Sequence, residues 1–166
     1  KIREKIVVNR VARVKGPVGV YVHHDGKTAV LFEAEGTPKD AAVLRDVAMH
    51  IAAMKPAVAT VEQVDPAEVK AERDRLSEEA RSTGKPENII EKMVEGRLRK
   101  FYEEVTLVKQ AFVIDPDKTV EQAVEAMAKE LGTPVKLTGF VRFALGEGIE
   151  KEEQDFAAEV AAATGQ

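Results

Sequence analysis

Cysteine is absent from the 166 residues, and with it go a disulfide framework, a cysteine-based zinc site and a thiol nucleophile. Histidine is scarce: His23, His24 and His50 are the only three, and nothing in their spacing brings them together with a carboxylate around a metal. No metal and no cofactor is expected. No apolar run reaches the roughly 18 residues that a membrane-spanning helix requires, and the first residues lack a charged-then-apolar leader pattern. A soluble, cytoplasmic protein without membrane contact is the expectation. A positive surplus is missing as well, since 25 Lys and Arg stand against 29 Asp and Glu for a formal net charge of −4. That balance offers no field to nucleic-acid phosphates. What is present is a 44% apolar composition, ample for a packed core at this length. The chain opens at Lys1, without an initiator methionine, directly into a strand-like run, and so reads as a piece of a longer protein.

Ile6 to Val14 and Val18 to His23 are rich in β-branched residues and are separated by the turn signal Lys15-Gly16-Pro17, so both are predicted strands. Asp25-Gly26 supplies the positive φ angles of a tight hairpin, which makes Thr28 to Glu35 the antiparallel partner. In that register Val22 faces Ala29 and Val20 faces Leu31 on the side assigned to the core, and His23 lies opposite Thr28 at an exposed corner. Thr37, Pro38 and Asp40 form a cap for a helix running to about Lys55, with Val43, Leu44, Val47, Ala48 and Ile51 as its apolar stripe. His50 falls a quarter-turn off that stripe, at its boundary.

From Pro66 to Phe101 charges crowd in, and Gly84-Lys85-Pro86 ends one helical pattern and begins another. This is a helical hairpin. Its second arm carries Ile90, Val94, Leu98, Phe101 and Val105 at three- and four-residue steps, a narrow stripe suited to facing another helix, while the first arm offers Val69, Leu76 and Ala80. Isolated helices of this length are marginal in water, so the pair is expected to project and to contact a partner. Gly96, in mid-helix, is read as a close packing point at a cost of about 1 kcal/mol relative to alanine. Thr119 and Gln122 then cap a helix with the stripe Val120, Ala123, Val124, Met127 and Leu131, closed by Gly132 and Pro134. Val135 to Leu145 is a strand with Leu137, Val141 and Phe143 on one face and Thr138, Phe140 and Arg142 on the other. A last helix, about Glu150 to Ala163, has acidic residues in its first turns and an alanine-rich face with Phe156 and Val160. The predicted class is α+β: an antiparallel sheet of three or four strands, packed helices and an inserted antiparallel helical hairpin.

Little of this carries covalent chemistry. Gly146-Glu147-Gly148 lacks the third glycine of a phosphate loop and places an acid between the two, so it is a strand-to-helix turn. The carboxylates between Lys70 and Glu79 make a solvated face. His23-His24 could serve a hydrolase as general base, yet no serine, cysteine or buried acid is placed beside it, and an exposed pair reads better as a contact surface. No catalytic residue is assigned.

Three stretches resemble the bacterial elongation factor Ts family, the guanine-nucleotide exchange factors of elongation factor Tu. Ala48-Met-His-Ile-Ala-Ala-Met-Lys-Pro56 matches the family's AMHIAA-x-x-P helix end. Gly84 to Phe101 matches GKP-x-x-IAEKMVEGR-x-x-KF, with Ile90 in place of alanine. Gly139-Phe-Val-Arg-Phe143, Gly146-Glu-Gly-Ile-Glu-Lys151 and Asp155-Phe-Ala-Ala-Glu-Val160 match its C-terminal end, and Tyr21-Val-His-His24 matches a family Tyr-x-His. The resemblance implies a core lobe in two parts, 1–65 and 109–149, a dimerisation hairpin over 66–108 and a C-terminal helix module over 150–166. It implies a partner, elongation factor Tu, met at domain 3 by the tip carrying His23 and at the nucleotide-binding domain by the C-terminal helix. Tyr21, His23, His24, Met49, His50, Phe140, Phe156 and Val160 are the expected partner contacts, and Ile90, Val94, Leu98 and Phe101 an expected homodimer seam. One departure stands out: the family's Thr-Asp-Phe-Val exchange motif occurs nowhere in the chain. The alternative is a structural dimerisation module without a GTPase partner.

Overall fold

Alternating side chains on either side of a five-residue loop give the first structural unit, an antiparallel hairpin of Val18–Val22 (β1) and Thr28–Gly36 (β2). The computed structural model describes residues 7–36, 41–132 and 134–148. Gly26, with φ of 68°, turns the chain at the tip, and the Lys27 amide donates to Asp25 Oδ1 at 2.8 Å. The predicted register holds, with Val22 beside Ala29 and Val20 beside Leu31. The face is reversed: Val30, Phe32 and Ala34 of β2 are buried, whereas Val20 and Val22 are 55% and 61% exposed. Gly19 explains the choice. A Cβ there would sit 2.1 Å from the Leu44 carbonyl oxygen, so the glycine side is the one that a helix backbone can approach.

That helix is α1, Ala41–Met54, whose Leu44, Val47, Ala48 and Ile51 are buried in the main core. His50 is buried with them at 0% exposure, a correction of its expected boundary position. The strand β3, Val135–Ala144, pairs antiparallel with β2 and completes a three-stranded sheet in the order β1-β2-β3. A bulge opposite Glu33 and Ala34 shifts the alternation, so Leu137 and Phe140 both lie against the core. Phe140 therefore leaves the polar face on which simple alternation put it. The opposite face of the sheet carries Val18, Val20, Val22, Leu31, Val141 and Phe143, so both faces are apolar.

The predicted strand over Ile6 to Val14 does not form among the described residues. From Val7 to the start of β1 the backbone has no regular structure, and Val7, Val8 and Val11 are 66%, 77% and 82% exposed. β-branched residues favour a pleat only where a neighbour completes the ladder. Instead, Arg10 lays its guanidinium 4.5 Å from the Phe143 ring centroid and reaches Glu147 at 3.2 Å. Glu147 Oε2 also accepts from the Ala144 amide at 3.1 Å. The Gly146-Glu147-Gly148 turn is thus closed by its own carboxylate.

Asp65 caps α2, Pro66–Arg81, by accepting from the Ala67 amide at 2.8 Å, with Pro66 at the first helical position. After the break at Gly84-Lys85-Pro86, α3 runs over Glu87–Val105. Leu76 and Ala80 of α2 and Ile90, Val94 and Leu98 of α3 form a second apolar cluster between the arms, apart from the main core. Gly96 meets nothing within 4 Å, so it is not the packing point expected of it. The hairpin returns to the lobe through main-chain bonds from Ala57 and Val58 to the Val105 carbonyl, and from Leu107 and Val108 to those of Val58 and Ala59. A capping box of Thr119 and Gln122 then opens α4, Val120–Leu131, which buries Val120, Ala123 and Val124 in the main core and ends at Gly132. The antiparallel sheet and four helices make an α+β fold, as predicted. The Thr37, Pro38 and Asp40 cap, the side chains of Val43 and Leu131 and the final helix with Phe156 and Val160 lie outside the described residues.

Candidate partner-binding surface

The tip of the β1–β2 hairpin gathers three of the predicted contact residues because β1 ends in Tyr21-Val22 and the loop begins at His23-His24. Tyr21 and His23 point to the same side of the strand, two residues apart. The Tyr21 hydroxyl and His23 Nδ1 share a hydrogen bond of 3.0 Å, and the rings are 6.0 Å apart between centroids. His24 adds its ring at 4.2 Å from that of His23, inclined by 56°. Tyr21 also packs on the main core, so the cluster is anchored at one end and open at the other. Asp25 completes the tip. Its carboxyl is held below the ordinary value first by the Lys27 amide and then by the two neighbouring imidazoles.

Among the described residues no carboxylate is hydrogen-bonded to an imidazole at this tip. The side-chain partner of His23 is Tyr21, and Asp25 turns its carboxylate to the Lys27 amide instead of to an imidazole. No group of three His, Cys, Asp or Glu residues with the geometry to hold a metal occurs among the described residues. An aromatic and imidazole surface tied together at a loop tip is suited to contact, since amphipathic rings held in place lose little entropy on binding.

The remaining predicted residues are not brought to this tip. Met49 is half-buried on α1. Phe140, half-buried, stands opposite Phe32 in the sheet and packs on the core. His50 offers no surface: its Nε2 is 2.9 Å from Gln110 Oε1, and its Nδ1 accepts from the Val113 amide at 3.2 Å. Burial presses its pKa below the ordinary 6.5, partly offset by the Gln110 hydrogen bond. The predicted homodimer seam is occupied too. Ile90, Val94 and Leu98 are 4–5% exposed within the hairpin, and Phe101 is half-buried, edge-on to Tyr102. Ile90, Val94 and Leu98 thus face the first arm of the hairpin, and Phe101 lies outside that cluster. Sequence reasoning missed Arg142, which shares the cross-strand row of Val30 and Tyr21 and has a buried Nε with no hydrogen-bond partner. The bulge that turns it inward has no sequence signal beyond Gly139.

No helix among the described residues is long and apolar enough to cross a membrane. The family model described as elongation factor TS matches residues 1–147. Curated relatives named elongation factor Ts include one from Mesorhizobium japonicum, 58% identical over 89% of this chain and 51% of its own length. Others come from Brucella anthropi, 55% identical over 98% of this chain and 57% of its own, and Bartonella tribocorum, 53% identical over 98% and 56%. The chain thus spans a little over half the length of the curated relatives it matches. On the family match and these identities, the chain belongs to the elongation factor Ts family.

Proposed function

We propose that this chain is the partner-binding part of a cytoplasmic translation elongation factor that engages elongation factor Tu through the β1–β2 tip, with Tyr21, His23 and His24 as the contact residues. The ring cluster carries this reading: it is tied to the core by Tyr21 and has no internal chemistry to serve. The α2–α3 hairpin, residues 66–105, is a separate arm whose apolar seam is satisfied within itself, so pairing of two copies is not part of the reading.

Guanine-nucleotide exchange requires no covalent step on the factor. A protein that binds the nucleotide-free partner more tightly than the nucleotide-bound one lowers nucleotide affinity by the same coupling free energy. Contacts that do not distinguish the two states hold the complex together without shifting it. After Phe32 the chain continues Glu33-Ala-Glu-Gly-Thr-Pro-Lys-Asp40, with no Thr-Asp-Phe-Val and no aromatic to insert beside a nucleotide site. We therefore assign this part to affinity and not to exchange.

Stopped-flow release of a fluorescent GDP analogue from elongation factor Tu, run alongside a binding titration, tests both halves of the assignment. We expect measurable binding with little or no acceleration of release. Acceleration comparable to a full-length relative would overturn the division of labour, and absence of binding would overturn the partner.

A further inference from the structure

His50 is the one histidine with no route to solvent, and its two ring nitrogens are held by groups whose donor and acceptor roles are fixed. The Val113 main-chain N–H can only donate, so Nδ1 is the bare acceptor and the ring proton sits on Nε2. Nε2–H then donates to Gln110 Oε1. The same amide's Nε2 donates to the Glu104 carbonyl at 2.7 Å, which sets the orientation of the Gln110 side chain. The Gln110 main-chain carbonyl accepts from Val120 N at 3.0 Å, at the first residue of α4. The His50 and Gln110 side chains thus join α1 to the last turn of α3, and the Gln110 main chain adds the start of α4.

We infer that His50 and Gln110 form a proton-operated latch: with neutral His50 the 110–113 segment is held on α1, and a proton on Nδ1 releases it. A second ring proton faces the Val113 N–H, so one donor must lose its acceptor and a charge is left in an apolar site beside Phe112, whose ring centroid is 5.8 Å away. Among the described residues, the ring's hydrogen-bond partners are Gln110 and Val113, neither of them charged. Among the charged groups of the packed elements, Lys109 is paired with Glu121 at 2.8 Å and Asp115 with Lys118 at 2.7 Å. Glu104 presents its main-chain carbonyl to Gln110. Arg142 of the inner sheet face and Arg45 and Asp46 of α1 add nothing to the His50 shift, which comes from burial and from Gln110 alone.

The sense of the pH dependence follows. Because the folded state disfavours the protonated ring, the open state binds the extra proton, and the latch weakens as pH falls below the ordinary 6.5 towards the folded pKa. The amide of Val113 is the reporter, since its hydrogen bond is to His50 itself. Hydrogen exchange of that amide, corrected for its intrinsic rate, is to be measured between about pH 7.5 and 5 by NMR. We expect protection to be flat above the ordinary histidine range and to fall by up to about tenfold per pH unit below it, one proton being taken up on opening. The response should survive in His23→Ala/His24→Ala and vanish in His50→Asn, which keeps an acceptor for Val113 and cannot titrate. Ring nitrogen shifts should report the Nε2–H tautomer at neutral pH. Protection that ignores pH in the unaltered chain, the same fall in His50→Asn, or an Nδ1–H tautomer would each overturn the latch.

Discussion

The sheet lobe and the helical hairpin are both closed by apolar side chains, but in different amounts and with different consequences. Fourteen buried residues of the sheet, α1, the 107–112 segment and α4 share one cluster, whereas the hairpin is held by five. The lobe buries residues far apart in sequence, from Val30 to Leu137, so its loss is the loss of the fold. The hairpin buries residues from Leu76 to Leu98 only, supplemented by exposed ion pairs such as Arg75–Glu72 and Arg97–Glu79. Such pairs add little in water. The hairpin is therefore expected to open below the global unfolding free energy, as a unit of its own.

The contrast can be broken first where it should be strongest. Phe32 is 0% exposed at the centre of the sheet, and Phe32→Ala should cost about 3–5 kcal/mol through lost burial and the cavity left behind. A denaturant titration followed by circular dichroism is expected to show one transition moved as a whole. Loss of the hairpin's protection alone would show that the two regions are not ranked as claimed. Leu98→Ala comes next, at about 2–4 kcal/mol, because Leu98 is 4% exposed within a seam that can partly collapse. Its effect should be confined: amide exchange should rise in α2 and α3 while protection at Phe32 and Ile51 is kept. A uniform rise would mean that the hairpin and lobe unfold together.

The elements most legible in the sequence were those whose signals are local. The Thr119–Gln122 box, the Pro66 start and the Gly84-Lys85-Pro86 break all fell where capping chemistry put them. The β1–β2 register was legible from the Asp25-Gly26 loop, but the buried face was not, because alternation identifies two sides and here both are apolar. What decides between them is Gly19, whose missing Cβ admits α1, and that contact spans the distance from β1 to Leu44. Phe140 was misplaced for a similar reason: a bulge resets alternation without a mark on the apolar pattern. The hairpin stripe is legible as a helix-facing seam, and within the chain it packs on the preceding arm. Among the site residues, Tyr21, His23 and His24 form one cluster as neighbours in sequence. His50 was illegible as a core residue because its partners Gln110 and Val113 lie some sixty positions away.

The most direct test of partner binding at the tip is a titration of elongation factor Tu with the chain and with His23→Ala, each accompanied by a melting curve. His23 is joined to the fold by one side-chain bond to Tyr21, at a corner away from both apolar clusters. We expect affinity to weaken by about 1–3 kcal/mol, the range of an interface anchor, with the melting temperature unchanged. Unchanged affinity would remove His23 from the contact surface, and a large fall in melting temperature would show that it holds the hairpin together instead.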